Sequence, residues 1–148
     1  MSRTEAFAWC ALGHRHWGTA GGAGLLVISK PRMLLQLRPS GVQHPGTWST
    51  PGGALEAGES PLQGALREAV EEMGPLPRGL RYVDTLTEDC GGWKYHTVVM
   101  HSPAEFAVAR PGGEHGGARW FTADDLDGIP LHPGFARLWA RGARVGTT

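Results

Sequence analysis

Gly53-Ala54-Leu55-Glu56-Ala57-Gly58-Glu59-Ser60-Pro61-Leu62-Gln63-Gly64-Ala65-Leu66-Arg67-Glu68-Ala69-Val70-Glu71-Glu72-Met73-Gly74-Pro75 contains the clearest element of this chain. Ser60 is placed to cap a helix. Pro61 suits the first helical position, where its missing N–H leaves nothing unpaired, and Gln63 completes a capping box of the Ser-x-x-Gln form. Gly74 followed by Pro75 stops the run. The pattern predicts a helix over 60–73.

At about 100° per residue, Glu68, Glu71 and Glu72 fall within an arc of roughly 100° and share one face. Leu62, Leu66, Ala69, Val70 and Met73 fall roughly opposite and are expected to dock the helix on the core, with the acids pointing away. Gly64 falls among the acids, where a helix prefers alanine by about 1 kcal/mol, and leaves room for a ligand or another backbone. Like charges three and four residues apart destabilise an isolated helix by a few tenths of a kcal/mol each. Arg67 offsets part of this, and hard divalent cations are natural partners for the remaining carboxylate oxygens. Three glutamates alone are more often a solvated face than a metal site, so the residues around them carry the argument.

Gly53, five residues, Glu59, seven residues and then Arg67-Glu68-Ala69-Val70-Glu71-Glu72-Met73-Gly74 resembles the Nudix box. That pattern is G, five residues, E, seven residues, then R-E-U-x-E-E-x-G-U, with U aliphatic. Every polar and glycine position is matched; the last aliphatic position is Pro75, which affects the helix exit and none of the acids. Pro51-Gly52-Gly53 at the entrance, an apolar strand pair before it and Arg119-Trp120-Phe121 near the end of the chain are also similar to the family. The resemblance implies the Nudix fold, an α/β architecture with a mixed β-sheet sandwiched between α-helices. It also implies metal-dependent hydrolysis of a phosphoanhydride in a nucleoside diphosphate linked to a further group, by water attack at phosphorus.

By that resemblance Glu68, Glu71 and Glu72 ligate Mg²⁺ or Mn²⁺, with the backbone carbonyl of Gly52 or Gly53 as a further ligand. Arg67 orients a neighbouring glutamate and Glu59 holds the loop to the helix, with Gly53 and Gly74 as structural positions of the box. The plainer alternative for Arg67 and Glu59 is a solvated ion pair. The general base differs among family members: Glu68 is the first candidate, and Glu114, in a glycine-rich loop six residues before Trp120, the second. Metal ions supply charge neutralisation and positioning for in-line attack, and no serine or cysteine arrangement argues for a covalent nucleophile.

For substrate binding, Arg38 closes an apolar run just before the loop and is suited to a phosphate, with a surface salt bridge as the equal alternative. Trp48, and Trp93 with Tyr95, offer flat faces for a nucleobase; packing is the more common role of any one aromatic. Nucleoside triphosphates, oxidised dGTP included, are the first expectation for substrate, and ADP-ribose or nucleotide sugars the second. No S-Q-P-W-P-F-P signature of the NADH-cleaving type follows the box. The rival is a catalytically silent Nudix domain that senses a nucleotide ligand, against which the intact acids argue.

The rest of the chain sets bounds. With 148 residues, one core and one domain over 1–148 are expected, with 1–20 an irregular N-terminal arm and 143–148 a disordered tail. Lys plus Arg is 14 and Asp plus Glu is 14, so a nucleic-acid polymer, including the RNA ends taken by decapping enzymes, is disfavoured. The longest apolar stretches, such as Leu25 to Ile28, are far too short to cross a bilayer, and the start lacks a secretory core, so a cytoplasmic protein without membrane contact is expected. Dimers are common in the family, the one ground for expecting a homodimer. Cys10 and Cys90 are expected as free thiols. Cys10, His14 and His16 offer three irregularly spaced ligands and no partner pair, which argues against zinc. Strands are expected near 24–28, 33–38, 81–87, 93–100, 105–109 and 118–121, with a helical turn at 123–126 and a terminal helix at 134–141.

Overall fold

Leu25 and its apolar neighbours form the central strand of a mixed sheet. The computed structural model describes residues 6–108 and 117–142. In chain order the elements are β1 (Phe7–Trp9), β2 (Arg15–Trp17), β3 (Gly22–Ser29), β4 (Arg32–Leu37), β5 (Trp48–Ser49), β6 (Gly52–Ala54), α1 (Pro61–Met73), β7 (Arg81–Cys90), β8 (Trp93–His101), β9 (Ala118–Thr122), a 3-10 turn (Asp124–Gly128) and α2 (Pro133–Arg141). β3 runs parallel to β8, from Gly22 opposite Tyr95 to Ile28 opposite His101. On its other edge it pairs antiparallel with β4 and, across Gly22–Gly24, with β6. β7 pairs with β8, and β9 and β5 pair with β4.

Every residue of β3 is buried because both faces of the sheet are covered, which is why it reads as a continuous apolar run rather than an alternation. Ala23, Leu25 and Val27 pack with Leu34, Val98 and the Ala65, Ala69 and Met73 side chains of α1. Leu26 and Ile28 point the other way, onto Phe121, Phe135, Leu138 and Trp139 on the side of α2. A mixed sheet between two helices is the architecture expected from the sequence. No helix among the described residues is long and apolar enough to cross a membrane.

Four expectations need correction. The supposed irregular arm contains the β1–β2 hairpin, with Phe7 opposite Trp17 and Trp9 opposite Arg15; strands of three residues are too short for a period to show. The supposed strand at 105–109 is without regular structure over 105–108, its last residue lying outside the described ones. There Phe106 packs edge-on against Trp120 and its carbonyl accepts the Trp120 indole N–H at 3.0 Å, so the apolar residues plug a loop. In α1, Val70 is 41% exposed while Ala65 is fully buried, so the helix is rotated from the face drawn on its sequence. Gly64, rather than admitting a ligand, admits the loop: a Cβ there would collide with Leu55 and meet a Glu59 oxygen at 3.0 Å.

α2 begins at His132, whose Nδ1 accepts the Gly134 N–H at 3.0 Å. Burial, and then the charge of Arg38, push this imidazole down to about 4. A histidine whose folded pKa lies below its unfolded value contributes stability above about 6.5 that is lost as pH falls towards 4. His132→Asn, which keeps a capping acceptor, is therefore expected to flatten the acid limb of the stability curve by on the order of 2 kcal/mol, allowing for the ring's partial exposure. Urea unfolding of both proteins at pH 7 and pH 4.5 checks this, and parallel curves would refute it.

Candidate metal and phosphate site

The rotation of α1 decides where its acids go. Small residues at 65 and 69 let the helix lie close to β3, and the turn that buries them sets Glu68 and Glu72 beside the packed face instead of opposite it. The capping box forms as expected: Ser60 accepts the Gln63 N–H at 3.1 Å, and the Gln63 side chain accepts the Ser60 N–H at 3.0 Å. At the other end the Gly74 N–H donates to Val70 and the glycine takes a φ of 87°.

Glu72 is held at both oxygens. Its Oε1 accepts the Gln36 side-chain N–H at 2.7 Å and its Oε2 the backbone N–H of Gly52 at 3.0 Å. Burial pushes its carboxyl up to about 7, the Glu68 charge adds to this, and the two hydrogen bonds act against it. Burial likewise raises Glu68 above the usual carboxylate range, opposed by Arg67. Glu71 is exposed and pairs with Arg67 at 3.4 Å.

Arg67 is the hub. Its Nε and NH2 donate to the two oxygens of Glu59 at 2.8 and 2.9 Å, NH2 also to the Ala54 carbonyl at 2.9 Å, and NH1 to Glu68 at 2.9 Å. Glu59 also accepts the Glu56 N–H at 3.0 Å. The Arg67 hydrogen bonds hold the Glu59 carboxyl below its usual range. Gly53 faces Glu68 so closely that a Cβ there would stand 2.6 Å from the carboxyl carbon.

Beside Glu72 lies a cleft of about 390 Å³ lined by Gln36, Arg38, Gly52, Glu72 and residues 39–42, within the size range of small-molecule sites. Arg38 Nε donates to the Gln43 carbonyl at 2.7 Å, which anchors the guanidinium on this wall. Trp48 is half-buried and meets Phe121 edge-on at 4.9 Å, with Arg119 at 6.0 Å from its ring. Trp93 donates to the Gly18 carbonyl at 2.7 Å and stacks on His16. Tyr95 brings its hydroxyl close to Gly24 and Gly52.

A family model for the NUDIX domain matches residues 18–141. The chain belongs to the Nudix family. A Mycobacterium tuberculosis protein named "Putative 8-oxo-dGTP diphosphatase 3" is 38% identical over 140 residues, covering 87% of this chain and 64% of the relative. A nucleoside triphosphate pyrophosphatase/Nudix hydrolase fusion protein of Bifidobacterium longum is 39% identical over 143 residues, 90% of this chain and 30% of the relative. The chain therefore spans less than two thirds of the length of either. Among solved structures, a Nudix hydrolase from M. smegmatis, RenU, superposes with a TM-score of 0.79 at 32% identity, covering 92% of each chain.

The Nudix acids fit a divalent cation on the structure's own terms. Burial raises both the Glu68 and Glu72 carboxyls, and the Glu68 charge raises Glu72 further; a hard divalent cation held by their oxygens would offset both effects. Gln36 escaped the sequence analysis. Its signal was a single amide closing the apolar run Met33-Leu34-Leu35, since a polar side chain buried in a sheet needs a partner. Glu114, the second candidate base, lies outside the described residues.

Gly53→Ala is expected to displace the Glu68 carboxylate and lower metal-dependent turnover by about two orders of magnitude, because small misplacements of reacting groups are that costly. The helix caps remain, so thermal unfolding should shift little. An alanine variant with parental turnover would show that the close approach is unnecessary.

Proposed function

We propose that this Nudix domain is a metal-dependent pyrophosphohydrolase that cleaves a phosphoanhydride of nucleoside triphosphates, oxidised dGTP among them. The observation that carries this is the part-buried Glu72 carboxylate, with the Glu68 charge acting on it, on a cleft that Arg38 also lines. The name of the M. tuberculosis relative supports the choice of an oxidised purine nucleotide.

Glu68, Glu71 and Glu72, with the Gly52 or Gly53 carbonyl, would hold Mg²⁺ or Mn²⁺, which supplies charge neutralisation at the phosphates and polarisation of the attacked phosphorus. Arg38, always charged and able to bond two oxygens, would bind a phosphate at the cleft wall. Arg67 fixes one oxygen of Glu68 and so aims the other, which accepts the proton of the attacking water. Gln36 and Gly52 keep Glu72 in place throughout. Trp48, the sequence's candidate for base contact, packs instead with the core on the α2 side, edge-on to Phe121, and is not among the residues lining the cleft.

The test is release of phosphate or pyrophosphate from dNTPs, 8-oxo-dGTP, ADP-ribose and nucleotide sugars, with Mg²⁺, with Mn²⁺ and with chelator. Metal-dependent turnover strongest on 8-oxo-dGTP or another triphosphate is the expected result. Turnover confined to ADP-ribose or nucleotide sugars would overturn the substrate assignment, and ligand binding without turnover on any substrate would overturn the enzyme reading.

A further inference from the structure

At the end of β7 and β8 where Gly91 and Gly92 join them, two tight turns meet. The β1–β2 turn is closed by the Cys10 N–H donating to the His14 carbonyl and the Gly13 N–H to the Cys10 carbonyl, both at 3.0 Å. The β7–β8 turn passes through Gly91 and Gly92, both at positive φ, and the Gly92 N–H donates to the Asp89 carboxylate at 2.8 Å. The Ala11 N–H donates to the Gly91 carbonyl at 2.9 Å and ties one turn to the other. A Cβ on Gly91 would stand 2.8 Å from the Ala11 and Leu12 nitrogens and 2.9 Å from the Cys10 sulfur, so only glycine permits the approach.

Cys10, His14, His16 and Cys90 converge there, with one ligand atom from each and all of these within 4.8 Å of one another. The sulfurs are 3.7 Å apart. That is far beyond the roughly 2.05 Å of a disulfide, and close to the ~3.8 Å that separates two thiolates on one tetrahedral zinc with Zn–S near 2.3 Å. His14 Nδ1 lies 3.1 Å from the Cys90 sulfur. His16 stacks flat on Trp93, ring centres 4.2 Å apart, so its orientation is fixed. Its Nε2 is buried without a hydrogen-bond partner, and buried polar atoms in folded proteins are otherwise nearly always paired.

We propose that Cys10, His14, His16 and Cys90 form a tetrahedral zinc site that fastens the N-terminal hairpin to the β7–β8 turn. Four protein ligands leave no open position, so the role is structural. The hairpin has need of it: Phe7, Trp9 and Trp17 are at least half exposed, and apolar packing holds it weakly. The sequence concealed the set because Cys90 follows Cys10 by 80 positions, and three ligands without their fourth argue against a site.

The test uses the full chain, reduced and stripped of metal. Co²⁺ is expected to give a thiolate-to-cobalt charge-transfer band and the intense visible bands of four-coordinate geometry, saturating at one equivalent. The oxygen donors of α1 give no such charge transfer, which separates the two sites. Zn²⁺ should displace the Co²⁺ and slow thiol modification of the wild-type protein by an order of magnitude or more, with chelator restoring it; this needs no variant to fold. Cys90→Ser should at least halve the charge-transfer band, since only the Cys10 thiolate remains. Absence of that band, thiols equally reactive with and without zinc, or a mass two hydrogens lower under native conditions, marking a Cys10–Cys90 disulfide, would each overturn the proposal. All readouts are independent of hydrolase activity.

Discussion

Glu72→Gln is expected to lower metal-dependent turnover by about three orders of magnitude while leaving the metal-free protein more stable than the parent at pH 8. Both effects follow from one environment. The carboxylate is held against Gly52 and Gln36 with the Glu68 charge beside it, so the substitution takes away a part-buried negative charge that a bound cation would offset. The Glu72 carboxyl is pushed up to about 7 from an ordinary value near 4.5, so folding takes up a proton between these limits. Stability present below about 4.5 is therefore lost as pH rises through 7. The glutamine carries no charge at any pH, and the variant's advantage should grow across that window to on the order of 2 kcal/mol. Mg²⁺ should reverse the order at pH 8 by stabilising the parent alone. Urea unfolding at pH 5 and 8, with and without Mg²⁺, reads all of this; equal stabilisation of both proteins by Mg²⁺ would contradict it.

Arg67→Ala should be the most destabilising single change in the loop–helix region, at about 3 kcal/mol. It leaves the Glu59 carboxylate, only 12% exposed, and the Ala54 carbonyl without their donor, and an orphaned charge costs more than a lost contact. Lysine cannot reproduce the fork, so Arg67→Lys is expected to recover less than half. Glu59 has a depressed pKa. Its contribution is present above about 4.5 and disappears as pH falls through the folded value, so the gap between parent and variant should narrow in acid. Turnover should also fall by about two orders of magnitude, with kcat affected more than KM, if Arg67, which donates to Glu68, acts through it as proposed. Denaturation at pH 7 and pH 3.5 with steady-state kinetics at pH 8 checks both halves; a variant within 1 kcal/mol of the parent would show that Glu59 finds another partner.

What the sequence disclosed was local. Ser60, Pro61, Gln63 and Gly74 act within a turn of their own positions, and the structure places them as their chemistry requires. The apolar run of β3 likewise announced a strand covered on both faces. What stayed hidden depended on partners distant in sequence. The rotation of α1, which exposes Val70 and buries Ala65, is set by how closely the sheet allows the helix to approach, and the helix's own pattern admitted either face. Gln36 acquires meaning only when Glu72 arrives above it, and Cys10 and His14 only when the β7–β8 turn brings Cys90. Phe106 looked like strand material because a loop plugged by an aromatic and a strand have similar composition.

The two alanines beneath α1 have a consequence for how this domain can change. Ala65 and Ala69 act as spacers of one methyl group each between helix and sheet. The reach from Glu72 to Gln36 and Gly52 is a hydrogen-bond length with no slack. A bulkier side chain at either position would lift the helix and open those contacts, although it would touch neither acid nor ligand. The helix is thus a fixed gauge, tolerant on its outer face at Val70 and intolerant beneath. New substrates are more readily accommodated by altering the 39–42 segment that lines the cleft, where a change of length or composition would not move the gauge.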